Sequence, residues 1–236
     1  MLGQRAAVIG ASVAGLLASR TLSEYFDEVT VLDSDEIEDR PVVHKSVPQG
    51  HHLHALLHGG LRVLSSLYPS FTEDLGQLGA TRIAMGRDAV WYLPDGKAYN
   101  PTGSVRTPFT SGLEGYCASR GLLESVIRRR TAASSNIRFE YGSTVRELIC
   151  RDGIIRGVRC GNSRSIECDL VVDATGRGHR ARQWLAAIGF APPEETTIGL
   201  DTAYSTANFR RPETYSGEPL VFITGPAPHF TRRGYV

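Results

Sequence analysis

The sequence predicts an α/β fold that begins with a βαβ unit. Three features near the amino terminus indicate this fold: a short apolar run from Arg5 to Ile9, a glycine turn from Gly10 to Gly15, and a second apolar run from Val29 to Leu32. Strands buried on both faces of a parallel sheet are typically short and apolar throughout. The turn opens directly into a helix that we expect to extend to about Tyr25.

The glycine turn has the spacing of a dinucleotide-binding site. Gly10 permits the tight turn, and Gly15 lets the helix pack close to the strand. The N–H groups of the first helical turn, at Val13 and Ala14, then face a pyrophosphate, assisted by the helix dipole. Asp33 ends the second strand, where a carboxylate can accept hydrogen bonds from an adenosine ribose. The combination predicts dinucleotide binding.

One position departs from the GxGxxG pattern, because Ser12 stands at the middle glycine. The small side chain of Ser12 must therefore turn aside for a phosphate to approach the backbone. Two other interpretations stay open: a structural turn without a ligand, and a secretory signal formed by Arg5 and the mostly apolar run from Ala6 to Ala18. The glycines and the serine interrupt that run, which favours the βαβ unit.

Composition excludes several classes of function. A chain of 236 residues can bury a large core, and a net charge of +1 gives no electrostatic reason to expect nucleic acid or an anionic membrane as a partner. No apolar run reaches about 18 residues, so no transmembrane segment is expected. The cysteines form no CxxC pair and are expected to be free thiols of a cytoplasmic protein; they are Cys117, Cys150, Cys160 and Cys168. A helix start near Cys117 could lower its pKa, but a plain buried thiol is favoured.

Four histidines, His51, His52, His54 and His58, lie at the junction of a loop and a predicted amphipathic helix, whose leucines recur at helical spacing from Leu53 to Leu67. His54 and His58 are four residues apart and could share a face of that helix, which invites a metal interpretation. No HExxH motif is present, and no acidic residue lies nearby to complete a hard site. Histidines hydrogen-bonded beside a cofactor are therefore favoured over a metal site, with plain surface histidines as the third interpretation.

The next helix carries arginines at both ends, and the helix dipole favours those at one end only. Ser119 is a good N-cap for the helix that starts at Arg120, and Arg128, Arg129 and Arg130 at its far end suit the negative end of the dipole, so they are expected to be a solvated helix end. Arg120, in contrast, places a cation in the first turn, where the dipole opposes it. We therefore expect Arg120 to meet an anion such as a cofactor phosphate.

The remaining elements follow from shorter patterns. A second α/β segment is predicted from a strand at Leu170–Val172 that ends on Asp173 and Gly176, followed by a helix over 180–188 with Gly189 as its C-cap. Asp152-Gly153 is a strong hairpin signal. The other predicted pieces are a β segment at 81–98 with a Pro94-Asp95-Gly96 turn, a loop at 100–115, strands at 137–141 and 165–168, and two strand candidates at 196–212 and 218–228 that would begin an antiparallel sheet.

Four separated motifs occur in one order: GASVAG (10–15), VLDSD (31–35), SRGLLE (119–124) and DLVVDATGRG (169–178). Together they resemble the FAD-dependent monooxygenases of the aromatic-hydroxylase group, which includes epoxidases and relatives of the geranylgeranyl reductases. The segment VPQGHHLH (47–54) resembles a bacterial branch of that group. The resemblance covers nearly the whole chain.

The resemblance implies a Rossmann-like FAD-binding domain over 1–190, with a small β insertion at about 80–115, and the start of a substrate domain over 191–236. It assigns the FAD pyrophosphate to Gly10, Ser12 and Gly15 with the intervening Val13 and Ala14, and the adenosine ribose to Asp33. Further cofactor contacts are implied for Lys45, Arg120, the backbone of Val145, Asp173 and Gly176. Lys45 departs from the family, which often has an arginine there.

The resemblance also implies the chemistry. NAD(P)H and O2 would be the co-substrates of a small organic substrate, and no protein nucleophile is expected, since the flavin carries the reaction. The Gly-Asp motif found later in the family does not follow residue 200, so we expect a chain that is incomplete at its carboxyl end. A flavin-dependent reductase or dehydrogenase and a non-catalytic FAD-binding fragment stay open as alternatives, and the sequence assigns neither catalytic residues nor an oligomeric state.

Overall fold

The structure is a computed structural model that describes residues 1–37, 41, 47–84, 88–92, 98–99, 114–161, 163–178, 180–210, 212–214, 220–223 and 233–235. The predictions for Lys45 and for the Pro94-Asp95-Gly96 turn lie outside these residues. The chain divides into two compact units, Met1–His44 with Glu124–Ala203 and Lys45–Leu123 with Tyr204–Val236.

The strands and helices are, in chain order, β1 (Gly3–Ile9), α1 (Val13–Leu22), β2 (Phe26–Leu32), β3 (His54–Leu56), α2 (His58–Leu67), α3 (Phe71–Gln77), β4 (Thr81–Ala84), β5 (Ala89–Tyr92), β6 (Ala98–Tyr99), β7 (Glu114–Ala118), α4 (Arg120–Ala132), β8 (Ile137–Glu140), β9 (Val145–Arg151), β10 (Ile154–Cys160), β11 (Ser165–Glu167), β12 (Leu170–Asp173), α5 (Arg180–Ala187), β13 (Leu220–Ile223) and β14 (Gly234–Tyr235). Two short 3-10 helices occupy Pro48–His51 and Gly176–Gly178.

The first unit is organised around a parallel sheet with the strand order β12-β1-β2-β8. Ile9 is level with Leu32 on one side and with Asp173 on the other, and Leu32 is level with Glu140. The inner strands are apolar because both of their faces are covered: Val8, for example, is fully buried. The predicted βαβ unit is confirmed, although α1 ends earlier than expected and β2 begins at Phe26.

A three-stranded antiparallel sheet, β11-β10-β9, belongs to the same unit. Asp152 and Gly153 connect β9 to β10 with φ angles of 53° and 73°, the left-handed pair that a type I′ turn requires. The predicted hairpin is therefore confirmed. Side chains of this sheet pack with Ile9 and Leu32 in one buried cluster that also contains Val145 and Trp184.

The described residues of the second unit form two small sheets. β3-β7-β4 is antiparallel, whereas β14-β13-β5-β6 is mixed because β13 pairs in parallel with β5. The prediction of a strand in 218–228 is confirmed by β13. The predicted loop at 100–115 is too long, since Glu114 and Gly115 already belong to β7.

Two further predictions are wrong in detail. Leucines spaced from Leu53 to Leu67 do not form one helix: β3 occupies His54–Leu56 by pairing with β7, and α2 begins only at His58. The predicted strand at 196–212 is also absent from its described residues, 196–210 and 212, among which Ile198 and Phe209 are 83% and 89% exposed. An alternating pattern forms a strand only where another surface covers its apolar side.

All four cysteines are free thiols. Burial raises the pKa of the Cys117 thiol, which argues against an activated nucleophile there. Among the helices of the described residues, none combines the length and the apolar composition that a membrane crossing requires.

Candidate functional site

The carboxyl ends of three parallel strands meet at one edge of the first unit's sheet. Since Ile9 is level with both Leu32 and Asp173, the residues that follow them emerge side by side. The backbone joins them further, because the N–H of Gly10 donates to the carbonyl of Leu32 (2.7 Å) and the N–H of Ala174 donates to that of Ile9 (2.8 Å). Ligands of open α/β sheets bind at this edge.

Gly10 and Gly15 shape this edge because neither position has room for a side chain. Gly10 has a φ of 106°, and a Cβ atom there would lie 2.6 Å from the carbonyl oxygen of Ala174. A Cβ atom on Gly15 would overlap the carbonyl oxygen of Gly10. The turn thus packs directly against both α1 and the segment after β12.

Asp33 lies at the end of β2 and turns its carboxylate to the glycine turn. Its Oδ2 atom accepts a hydrogen bond from the backbone N–H of Ala11 at 2.6 Å, and its Oδ1 atom accepts one from the N–H of Asp35 at 2.9 Å. The residue is half-buried. A carboxylate offers about four acceptor positions. Asp33 therefore keeps the capacity to accept hydrogen bonds from a ribose.

The first turn of α1 faces the same edge. Ser12 is the N-cap, Val13 is half-buried and Ala14 is exposed. The first N–H groups of an α-helix have no partner inside the helix, and together with the dipole they favour an anion. Residues 10–15 therefore fit a phosphate group of a dinucleotide.

The side chain of Ser12 is turned away from this turn. Its hydroxyl donates to Oε2 of Glu124 at 3.0 Å, and Oε1 of Glu124 accepts from the guanidinium of Arg128 at 2.8 Å. Glu124 and Arg128 are only 1% and 6% exposed. Arg128 therefore does not belong to a solvated helix end, which corrects that prediction. It stands one helical turn after Glu124 on the buried face of α4, so the two form an ion pair inside the protein.

Glu124 was not among the predicted site residues, although the sequence carries a signal. Leu123, Ile127 and Thr131 recur at helical spacing and are buried. Glu124 and Arg128 follow Leu123 and Ile127 directly and are themselves four residues apart. A complementary pair at this spacing beside an apolar stripe indicates an internal ion pair as readily as a surface one.

Asp173 and Gly176 lie where the second predicted motif places them. Asp173 is exposed, and its Oδ1 atom accepts a hydrogen bond from the backbone N–H of Thr175 at 2.9 Å. Gly176 has a φ of 66° and begins a 3-10 turn. The Asp173 carboxylate therefore shapes the turn that follows it, next to the glycine turn.

Val145 begins β9 with its side chain buried beside Ile9 and Leu32. Its carbonyl oxygen accepts a hydrogen bond from the guanidinium of Arg180 at 3.5 Å. Arg180 was also not among the predicted site residues. It is the first residue of α5, where the dipole opposes a cation. The rule that singled out Arg120 would have found it.

Arg120 is the first residue of α4, as predicted, and the hydroxyl of Ser119 accepts a hydrogen bond from the N–H of Leu122 at 3.2 Å. Arg120 falls in the second unit, whereas the other described site residues fall in the first. Its contact with a cofactor therefore stays a prediction.

The histidines do not form the predicted helical pair, because His54 lies on β3 and His58 begins α2. His54 donates from Nδ1 to the carbonyl of His52 at 2.9 Å, and the ring of His52 shares a hydrogen bond of 2.8 Å with the hydroxyl of Thr206. Within the described ranges, no three His, Cys, Asp or Glu side chains come together in a way that could hold a metal ion.

Comparisons with known proteins agree with this architecture. No protein-family model matches the chain. The chain is 33% identical to Protein Rv3254 of Mycobacterium tuberculosis over 231 residues, which cover 92% of the chain and 47% of that protein. The chain thus spans about half the length of this curated relative.

Solved structures with a similar fold include PqsL, described as a probable FAD-dependent monooxygenase from Pseudomonas aeruginosa, with a TM-score of 0.59 and 14% identity over 78% of this chain and 45% of that one. FqzB is similar at a TM-score of 0.55 and 18% identity, over 78% of this chain and 38% of that one. At these identities, the likeness shows that the matched part of the chain has the fold of the corresponding part of these proteins.

Proposed function

We propose that this protein is an FAD-dependent oxidoreductase, and specifically a monooxygenase that uses NAD(P)H and O2 to hydroxylate or epoxidise a small organic substrate. One observation carries the proposal: the N-terminal turn of α1 and the carboxylate of Asp33 share one sheet edge and are joined by the hydrogen bond from Ala11. A dinucleotide needs an anion site and a ribose acceptor at this separation along the chain.

The described residues fit FAD at this edge. The N–H groups of Val13, Ala14 and Gly15 would hold the pyrophosphate, and Asp33 would accept hydrogen bonds from the adenosine ribose. The start of β9 at Val145 would offer backbone to the adenine. Asp173 and Gly176 would line the same edge from β12. Arg120 and Lys45 are further proposed contacts that rest on the motif resemblance.

A bound FAD would supply the redox chemistry, with NAD(P)H as the reductant and O2 as the co-substrate. The residues of this chain bind and orient it: the glycine turn permits close approach, and the ties from Ala11 to Asp33 and from Thr175 to Asp173 keep the edge in one arrangement. No side chain needs to act as a nucleophile.

Monooxygenation is favoured over other flavin reactions by the ordered motifs and by the fold shared with PqsL, which is described as a probable FAD-dependent monooxygenase. The division into an FAD-binding domain over 1–190 and the start of a substrate domain from residue 191 belongs to the same proposal. So does a cytoplasmic location, which the free thiols support.

Purification with and without added FAD tests the proposal. We expect flavin absorbance between about 350 and 500 nm to stay with the protein through gel filtration, as for an enzyme whose cofactor carries the reaction. Saturable NAD binding without flavin retention would contradict it.

A second measurement separates the reaction types. Beyond the one equivalent that reduces the bound FAD, continued oxidation of NAD(P)H by the FAD-loaded protein should require O2. Substrate turnover under anaerobic conditions would favour a flavin-dependent reductase instead.

A further inference from the structure

Ser12 holds the N-cap position of α1 but does not cap the helix. Its backbone is extended, with φ of −84° and ψ of −177°, as an N-cap residue requires, and yet its side chain makes no capping hydrogen bond. An N-cap serine normally accepts a hydrogen bond from the second or third N–H group of the helix. In α1 these groups belong to Ala14 and Gly15, at the proposed pyrophosphate position.

The hydroxyl of Ser12 is instead committed to Glu124. A carboxylate paired with a guanidinium only accepts hydrogen bonds, so the 3.0 Å contact with Glu124 makes Ser12 the donor. Glu124 is fixed by burial and by its ion pair with Arg128, whose side chains are 2% and 7% exposed. The hydroxyl is therefore drawn toward α4 and away from the first turn of α1.

We propose that Glu124 is a positioning residue that prevents Ser12 from capping α1, and thereby keeps the N–H groups of Ala14 and Gly15 available for the cofactor pyrophosphate. The inference rests on the proposed function. It explains how the chain tolerates serine at the middle position of the glycine motif, since a capping hydroxyl would compete with the phosphate for the same donors.

Arg128 balances the negative charge of the Glu124 carboxylate. A buried carboxylate near a phosphate site would repel the phosphate if it were alone, because charges interact strongly at low dielectric. The guanidinium of Arg128, 2.8 Å from Glu124, offsets that repulsion. Glu124 can then accept the hydrogen bond of Ser12 without adding a net charge to the site.

The test is a cycle of four proteins: the wild type, Ser12→Ala, Glu124→Met with Arg128→Met, and the triple variant. The paired substitution avoids a lone buried charge, and replacing a buried ion pair by apolar side chains is often tolerated. Arg20→Met with Glu24→Met is the matched control, since that ion pair has the same spacing, from Arg20 on α1 to Glu24 just beyond its end, but is more exposed. Circular dichroism and thermal unfolding monitor the fold of each.

The first readout is amide hydrogen exchange at Ala14 and Gly15 in protein without FAD. The Glu124/Arg128 double variant should slow exchange at one of these amides by about tenfold, the effect of one capping hydrogen bond. In the triple variant, which also carries Ser12→Ala, these amides should again exchange as fast as in the wild type. Unchanged exchange in the folded double variant would overturn the inference, whether or not the wild type binds FAD.

The second readout is the dissociation constant for FAD. The double variant should bind FAD about tenfold more weakly than the wild type, and the triple variant should recover most of that loss. If the double and triple variants lost the same FAD affinity, Glu124 would affect binding only through the stability of the fold, and the inference would be overturned. A loss of FAD affinity in Ser12→Ala alone that equals the loss in the double variant would mean that the hydroxyl itself holds the phosphate, and it would also overturn the inference. Absence of FAD binding by the wild type would refute the proposed function instead.

Discussion

The Oδ2 atom of Asp33 accepts a 2.6 Å hydrogen bond from the backbone N–H of Ala11, so the end of β2 is tied to the glycine turn that follows β1. Hydrogen bonds to a charged acceptor are stronger than those between neutral groups. The residue that we assign to the cofactor ribose therefore also holds the turn that we assign to the pyrophosphate. The two subsites are positioned together before a ligand binds.

Asp33→Asn should weaken FAD binding by about tenfold or more. The carboxylate has two acceptor oxygens, which can serve the glycine turn and the ribose together, whereas the amide of asparagine has only one. Titration of the purified protein with FAD, followed by flavin fluorescence, measures the change. Asp27→Asn is the matched control, since Asp27 is an exposed aspartate at the other end of β2. Equal affinities for the two variants would contradict the assigned role of Asp33.

Gly15→Ala should destabilise the fold by about 3 kcal/mol or more, because the added methyl group would overlap the carbonyl oxygen of Gly10 and force α1 away from β1. Gly76→Ala is the control on another helix, where an added Cβ meets no atom within 4 Å. That substitution should stabilise the protein by about 0.5–1 kcal/mol through helix propensity. Urea unfolding measures both changes, and the same sign for the two would contradict the packing argument.

The parts of the fold that the sequence predicted best are those in which a local pattern and the tertiary environment agree. The run from Arg5 to Ile9 is apolar because both faces of β1 are covered, and Asp152-Gly153 can adopt the two positive φ angles that the hairpin needs. In such segments, local conformational preference and tertiary packing select the same structure.

The errors arise where contacts in the folded chain override a local sequence pattern. Leu53 and Leu57 have helical spacing, but pairing with β7 makes the residues between them a strand. Arg128 suits a helix end electrostatically, but its partner Glu124 and the packing of α4 bury it. Neither β7 nor the contact of Glu124 with Ser12 can be deduced from neighbouring residues, because 112 positions separate Ser12 from Glu124.

Arg120→Ala should weaken FAD retention more than Arg129→Ala. Arg120 begins α4, where the dipole disfavours a cation unless an anion accompanies it, whereas Arg129 is exposed in the last turn, where the dipole favours it. The flavin content of the two purified variants, measured side by side by absorbance, checks this prediction. Equal retention would argue against a cofactor contact by Arg120.

Asp169→Asn should change how stability depends on pH. The carboxylate of Asp169 accepts hydrogen bonds from the N–H groups of Arg5 (3.0 Å) and Gln4 (2.8 Å), which hold its pKa below the ordinary value of 3.8. Because the folded state favours the charged form, Asp169 stabilises the protein above pH 3.8, and this contribution is lost as the pH falls through the lower folded-state pKa.

The wild type should therefore be more stable than Asp169→Asn near neutral pH, and the difference should shrink as the solution is acidified below about pH 4. Urea unfolding at a series of pH values from about 7 to 3 measures this difference in the free energy of unfolding. The pH profiles of the two proteins should run parallel above about pH 5, where the Asp169 carboxylate is ionised in both the folded and the unfolded chain. A difference that stayed constant throughout the acid range would mean that the bonds from Gln4 and Arg5 do not depend on the charge of Asp169. These bonds join the chain just before β12 to the start of β1, so their loss in acid should loosen that edge of the parallel sheet first.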